Sequence, residues 1–93
     1  MALRFAWDAR KAATNLRKHG ISFAEAATAF ADPLSITIAD PDHSEDEERF
    51  LLIGRSDRQH LVVVAHVERG DIVRIISARP ASRRERDIYE EGE

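Results

Sequence analysis

The stretch that decides the fold is LVVVAHVERGDIVRIISA, residues 61–78. Its two ends, Leu61 to Val67 and Ile72 to Ala78, are rich in the β-branched residues that favour strands. The four residues between them include Gly70 and are typical of a tight turn, so the two runs are predicted to pair as an antiparallel hairpin. Because Leu61 to Ala65 is apolar at every position, we expect both faces of this strand to be covered.

Further strands extend outward from the hairpin. Phe50 to Gly54 predicts a strand that reaches Leu61 through a short connection, which makes a three-stranded antiparallel meander. Leu34 to Ile38 is β-branched and alternating and predicts another strand. The alternation of Leu3, Phe5 and Trp7 with Arg4 and Ala6 predicts an opening strand with one buried face.

Capping signals predict three helices. Asp8 begins the first, which is expected to end at Gly20 and to bury the stripe Ala9, Ala12, Ala13 and Leu16. Ser22 and Glu25 match a capping box for a second helix, whose core residues would be Phe23, Ala26, Ala27 and Phe30. Ser82 and Glu85 match a capping box for a terminal helix, from Arg83 to about Glu90.

The resulting order is strand, two helices, four strands and helix. It predicts an α+β fold in which helices pack on one face of a mostly antiparallel sheet, as a single domain over residues 1–93. The early helix pair is expected to cover one face of the central strand. The other face is left to the terminal helix or to a partner protein.

The composition excludes several classes of protein. Hydrophobic residues make up 43% of the chain and charged residues 33%, which argues against disorder. The chain has no cysteine, so disulfides and zinc-thiolate sites are excluded. Its start lacks the apolar core of a signal peptide, and no stretch approaches the roughly 18 apolar residues of a membrane span, so we expect a cytoplasmic protein.

The net charge of −3 conceals a local asymmetry. The segment from Asp40 to Glu48, with both ends included, contains six acids and no Lys or Arg, so the remainder carries 14 bases against 11 acids. Such a split is compatible with a cationic groove for a polyanion, from which we expect the acidic segment to lie apart. The alternative is that the arginines form an ordinary solvated surface.

The hairpin register sorts candidate side chains by face. In the absence of a bulge, His66 shares a face with Ser77 and Arg79, and the opposite face holds Arg49, Arg55 and Arg74. One bulge would exchange the two sets. The first grouping brings an imidazole, a hydroxyl and a guanidinium group together on a short sheet.

Four blocks of residues stand in a fixed order along the chain. The first is Phe5-x-Trp7-Asp8-x-x-Lys11-x-x-x-Asn15-x-x-Lys18-His19-Gly20-Ile21-x-Phe23, followed by Arg49-x-x-x-Ile53-Gly54-Arg55, by Val64-Ala65-His66 and by Arg74-Ile75-Ile76-Ser77-Ala78-Arg79-x-Ala81-x-x-x-Glu85. In this combination and order they resemble the BrnT family of bacterial toxins, over roughly residues 4 to 90. The resemblance implies a RelE-like fold and a small ribonuclease that a partner antitoxin holds inactive.

Metal-independent cleavage of RNA by the 2′-hydroxyl requires a base, an acid and positive charge around the phosphorane. The expected catalytic residues are Arg55, His66, Arg74 and Arg79, and the expected phosphate-binding residues are Lys18, Arg49, Ser77 and Arg83. The structural alternatives stay open at this point. An arginine can pair with the acidic segment or with Glu85, and His66 can be a hydrogen-bonded core residue.

The resemblance also implies partners. They are RNA and a cognate ribbon-helix-helix antitoxin of BrnA type, through which alone operator DNA would be reached. We expect the antitoxin to dock on apolar surface left open by the strand Leu61 to Ala65. No metal, cofactor or membrane is expected. The alternative function is a non-catalytic module that acts only as co-repressor with the antitoxin.

Overall fold

The computed structural model describes residues 3–40 and 48–92. Its strands are β1 (Arg4–Ala6), β2 (Ile36–Ala39), β3 (Arg49–Arg55), β4 (Leu61–Arg69) and β5 (Ile72–Pro80). Its helices are α1 (Ala9–His19), α2 (Phe23–Thr28) and α3 (Arg83–Glu91), with a short 3-10 turn at Ala29–Ala31 after α2. The predicted order of elements and the α+β class are confirmed.

The five strands form one mixed sheet in the order β1-β5-β4-β3-β2. The meander β3-β4-β5 is antiparallel, as predicted, and β2 joins it antiparallel to β3. β1 pairs parallel with residues 72–74 of β5. Within the described residues, the remainder of β5 therefore has no strand on its outer side.

Helices of the chain pack on both faces of the sheet. The larger core packs α1 and α2 against one face, around Phe23, Val62 and Val64. On the opposite face, Tyr89 of α3 packs against Ile53 and Val63. Residues 61–64 are consequently buried, and the expectation that the strand from Leu61 to Ala65 leaves open apolar surface for an antitoxin is wrong.

The face that α1 turns toward the sheet differs from the predicted stripe. Leu16 is 49% exposed, whereas Asn15 is buried with 7% exposure. The Asn15 amide nitrogen donates to the carbonyl oxygens of Ala78 (2.8 Å) and Ile21 (3.0 Å), and its oxygen accepts from the Ala78 amide (3.1 Å). The side chain thus satisfies both backbone groups of Ala78 where β5 lacks a neighbouring strand.

The caps of α1 are the predicted ones. Asp8 accepts hydrogen bonds from the backbone amides of Arg10 and Lys11, and Gly20 ends the helix with φ at 75°, a conformation that favours glycine. At α2 only half of the predicted capping box forms, because Ser22 caps the helix but the Glu25 carboxylate turns away. Glu25 instead reaches Ser56 and His60.

The terminal helix has the complete predicted capping box between Ser82 and Glu85. The Glu85 carboxylate also accepts two hydrogen bonds from the Arg79 guanidinium, at 2.7 and 2.8 Å. These charge-assisted bonds hold the pKa of Glu85 at about 2. The pair fixes the start of α3 to the end of β5.

Replacing Asn15 tests its part in the fold. Asn15→Ala leaves both backbone groups of Ala78 and the Ile21 carbonyl without this partner, so we expect a loss of about 3 kcal/mol in the free energy of unfolding. Urea unfolding measures the loss. Thr14→Ala, on the exposed side of the same helix, is the matched control, and equal stability of the two variants would contradict the assignment.

Acid should weaken the attachment of α3. The pKa of Glu85 lies below that of an unfolded glutamate, so its stabilisation is present above about pH 4.5 and is lost as the pH falls toward about 2. We expect wild type to exceed Glu85→Gln by roughly 2 kcal/mol near neutrality, allowing for partial exposure, and the difference to shrink through that range. Unfolding curves at several pH values measure it. Glu90→Gln, at an exposed position of the same helix, should show no such trend.

Candidate functional site

A β-bulge decides which side chains share a face of the sheet. Ala65 pairs with Ser77, whereas His66 pairs with Ile75, so Ile76 is the extra residue. Ser77 and Arg79 therefore face away from α1 and α2, and His66 faces toward them. The bulge-free grouping of His66 with Ser77 and Arg79 is wrong.

The face opposite α1 and α2 carries all four candidate arginines of the sheet. Arg49 and Arg74 lie in one cross-strand row, separated by Val67. Arg79 lies opposite Val63, which is four residues away from Val67 on β4, and Arg55 lies at the far end of β3. The tyrosine of α3 covers this far end, so the open part of the face is the part around Arg49, Arg74 and Ser77.

A hollow of about 250 Å³, the Arg79 hollow, brings several predicted residues together. It is lined by Asp40, Arg49, Leu51, Ala65, Ile76, Ser77 and Arg79. Arg79 is already paired with Glu85, which is the ion-pair alternative raised by the sequence. Asp40 is buried and lines this hollow together with Arg49 and Arg79, whereas the acidic segment is predicted to lie apart from a groove for RNA. The other acids that precede Glu48 lie outside the described residues.

A second hollow, the α1 groove, lies beside the first. It measures about 330 Å³ and is lined by Arg10, Lys11, Thr14, Asn15, Lys18, His19, Ile76 and Ser77. Lys18 and Ser77, the two residues of this groove that the sequence predicted to bind phosphate, therefore line the same groove. Ile76 and Ser77 line this groove and the Arg79 hollow, so the bulge joins the two.

A third hollow, the His60 hollow, continues from the α1 groove through His19, which lines both. It measures about 400 Å³ and is lined by His19, Gly20, Ile21, Gln59, His60, Leu61, Pro80, Ala81 and Arg86. His60 binds the buried Glu25 carboxylate through Nδ1 at 2.7 Å. Sequence reasoning missed this pair, because Glu25 and His60 lie 35 positions apart and no local spacing marks them.

The charge of Glu25 is maintained despite its burial. Burial by itself would raise the pKa of this carboxyl group, but hydrogen bonds from Ser56 and His60 outweigh burial, and the pKa lies below its ordinary value. The Ser56 hydroxyl donates to the same oxygen at 2.7 Å. An ionised carboxylate therefore lies directly behind the His60 ring.

Arg55 lies in different surroundings. It lines a hollow of about 310 Å³ together with Asp32 and Asp57, whose negative charges would repel a phosphate. The guanidinium donates to the Gln59 carbonyl oxygen and lies 5.7 Å from the centre of the Tyr89 ring. The structure thus brings Arg55 together with acids and an aromatic ring, and not with Arg49, Ser77 or Arg79.

His66 is a fully buried residue with 0% exposure. Its ring lies 4.8 Å from that of Phe30, Nδ1 meets the Val64 carbonyl oxygen at 3.2 Å, and Nε2 meets the Glu68 carboxylate at 3.0 Å. This is the hydrogen-bonded core histidine that the sequence left as an alternative. A substrate on the arginine face is separated from it by the sheet.

The remaining predicted residue, Arg83, is exposed on the first turn of α3. Among residues 3–40 and 48–92, no cluster of three or more His, Cys, Asp or Glu side chains could hold a metal ion. Nor does any helix in that part of the chain have the length and apolarity to cross a membrane.

Comparison with known proteins identifies the family. The sequence profile of the BrnT ribonuclease toxins of type II toxin–antitoxin systems matches residues 7–85. The crystal structure of the Brucella abortus ribonuclease toxin BrnT superposes with a TM-score of 0.63 and 25% sequence identity, over 88% of this chain and all of that one. A search of curated protein sequences gave no significant match. The chain belongs to the BrnT family of ribonuclease toxins of type II toxin–antitoxin systems.

Proposed function

We propose that the protein is a metal-independent endoribonuclease that binds RNA along three adjoining hollows: the Arg79 hollow, the α1 groove and the His60 hollow. We call them together the cationic track. The observation that carries the proposal is their continuity, since Ser77 joins the first to the second and His19 joins the second to the third. A single-stranded chain can follow such a path with successive phosphates.

The charge of the track suits a polyanion. Six Lys or Arg residues line it, namely Arg10, Lys11, Lys18, Arg49, Arg79 and Arg86, and Asp40 is the acid among the lining residues. The hollow around Arg55, with Asp32 and Asp57, has the opposite balance. Local charge therefore favours the cationic track for RNA, although the net charge of the chain is −3.

The proposed reaction is attack of a 2′-hydroxyl on the neighbouring phosphorus, which leaves a 2′,3′-cyclic phosphate and a 5′-hydroxyl. Guanidinium groups supply positive charge for the phosphorane and stay protonated throughout. Arg79 and Arg49 both line the Arg79 hollow, and Arg74 lies on the same face of the sheet. Because the proposed substrate is RNA, we propose that the protein acts in the cytoplasm.

We further propose that a ribbon-helix-helix antitoxin of BrnA type neutralises the toxin by covering the track, and that operator DNA is reached through that antitoxin. Ile38 of the edge strand β2 is 41% exposed and pairs with Leu51, which lines the Arg79 hollow. An apolar segment could dock on these two residues while its acids face Arg49. We propose this surface for the antitoxin instead of the apolar residues of β4, because those residues are buried.

RNA incubated with the purified protein in EDTA tests the reaction. We expect cleavage with 2′,3′-cyclic phosphate ends. Intact RNA at high protein concentration would instead favour the co-repressor module, which needs only the antitoxin interface.

Two arginines at opposite ends of β3 test the position of the RNA. Arg49→Ala removes a cation from the Arg79 hollow, so we expect weaker RNA binding and a salt dependence reduced by about one phosphate contact. Arg55→Ala, on the same strand and face but beside Asp32 and Asp57, should bind nearly as wild type. Affinities at several salt concentrations measure both. Equal losses of RNA affinity in the two variants would contradict binding of RNA along the cationic track.

Arg79→Ala tests the contribution of the Arg79 hollow to cleavage. We expect kcat/KM to fall on the order of 10²-fold, because the RNA loses a phosphate contact that orients it along the cationic track. Glu85→Gln is the companion variant: it also breaks the Arg79 ion pair but leaves the guanidinium, so its rate should stay well above that of Arg79→Ala. Equal rates for the two folded variants would assign the loss to the ion pair alone.

Co-expression with the antitoxin tests the docking surface. A partner that binds only the folded toxin raises its melting temperature by mass action. We expect this rise with wild type and a smaller rise with Ile38→Asp, which places a charge on the exposed apolar surface of β2. Ile88→Asp, at an exposed position of α3, is the control. No co-purification, or equal rises for both variants, would contradict the surface.

A further inference from the structure

The His60 loop is built around one nearly buried carboxylate. A single oxygen of Glu25 accepts from the Ser56 hydroxyl and contacts Nδ1 of His60, both at 2.7 Å. Ser56 is itself buried, and its hydroxyl oxygen accepts from the backbone amides of Arg58 and His60 at 3.2 Å. The orientation of the imidazole is therefore set by bonds within the protein, before any ligand arrives.

This contact fixes the tautomer of the neutral ring. A carboxylate oxygen accepts, so Nδ1 must donate, and the lone pair of neutral His60 lies on Nε2. The side chain is 55% exposed and lines the His60 hollow. A carboxylate behind one nitrogen and an open hollow at the other is the arrangement that orients a histidine for proton transfer.

The same hollow contains a second imidazole and a fixed cation. His19 ends α1, where the partial negative charge of the last carbonyl groups attracts a positive side chain. Arg86 comes from α3. Gln59, next to His60, adopts a left-handed φ of 67°, a strained conformation of the kind that recurs at functional sites. Two imidazoles and a guanidinium can supply the base, the acid and the positive charge that 2′-hydroxyl cleavage requires.

We propose that the scissile phosphate of RNA binds in the His60 hollow, with His60 and His19 as the catalytic pair, Arg86 against the phosphate oxygens and Glu25 as the residue that positions His60. This inference rests on the proposed ribonuclease function and names the residues that carry its two proton transfers. His66 and Glu68 form the other histidine-carboxylate pair among the described residues, but His66 is fully buried and cannot reach a substrate.

The proposed step conserves protons and bonds. Neutral His60 takes the proton of the 2′-hydroxyl on Nε2 while the 2′-oxygen forms its bond to phosphorus. The bond from phosphorus to the 5′-oxygen breaks, and protonated His19 gives its proton to that oxygen. The products are a 2′,3′-cyclic phosphate and a 5′-hydroxyl, and solvent restores both histidines to their starting forms.

A bell-shaped dependence of the rate on pH is expected, since one histidine must be neutral and the other protonated. The charged groups that face this pair are Glu25 of α2 and Arg86 of α3. The positive charge of Arg58 acts on Glu25 and so contributes indirectly. His60→Asn retains a hydrogen-bonding group toward Glu25 but cannot exchange protons. We expect it to lower the cleavage rate about 10²-fold or more and to abolish one limb of the profile.

Glu25→Gln separates positioning from folding. The amide keeps hydrogen bonds to Ser56 and His60 but removes the charge, so we expect a smaller loss of rate and a shift of the limb that belongs to His60. The matched control is Glu68→Gln, which removes the carboxylate from the buried His66 and should leave the profile in place. A Glu25→Gln profile identical to wild type overturns the role of Glu25.

Two outcomes separate this inference from the proposed function. If wild type cleaves RNA and folded His60→Asn cleaves equally well, the His60 hollow is not the catalytic site and the ribonuclease proposal stands. If wild type does not cleave, the ribonuclease proposal and the catalytic pair both fail. The phosphate site then remains open to a direct test with uridine 3′-monophosphate. Shifts of the ring signals of His19 and His60 in NMR spectra support it, and unchanged signals overturn it.

Discussion

The side-chain amide of Asn15 is the interaction on which the arrangement of this protein depends. It joins three segments at once: helix α1, the link from α1 to α2 at Ile21 and the outer edge of β5 at Ala78. A buried amide is costly when its groups are unpaired, and here both the nitrogen and the oxygen are engaged. The basic end of α1 is thereby held beside β5, and this juxtaposition forms the α1 groove.

Local signals in the sequence predicted the elements well. Caps at Asp8, Ser22 and Ser82, and the turn at Gly70, act over a few residues, so their chemistry can be read from neighbouring positions. The long-range contacts could not be predicted in this way. Asn15 lies 63 positions from Ala78, and an asparagine in an exposed-looking helix gives no sign of its partner.

The bulge at Ile76 shows how one residue redistributes a candidate site. Ser77 and Arg79 were grouped correctly with each other, because residues two positions apart on a strand point to the same face of the sheet. Their relation to His66 depended on the register across the hairpin, and a bulge leaves no signature in a run such as Ile75-Ile76-Ser77. The arginines that appeared to be separated from Ser77 therefore share its face, and the histidine does not. Glu25 illustrates the same limit, since it fits a capping box but satisfies a distant loop.

The anchoring of the Ser56 to His60 loop has a consequence for regulation. Its bonds run to Glu25 of α2 and within the loop itself, so the geometry does not depend on RNA or on a second protein. On the proposed mechanism, an inhibitor bound over this loop acts by occlusion, because the loop's own hydrogen bonds already hold His60 in place. On the proposed mechanism, the toxin is then competent as soon as its surface is uncovered. The time course of reactivation is set by the residence time of the inhibitor and not by any refolding of the enzyme.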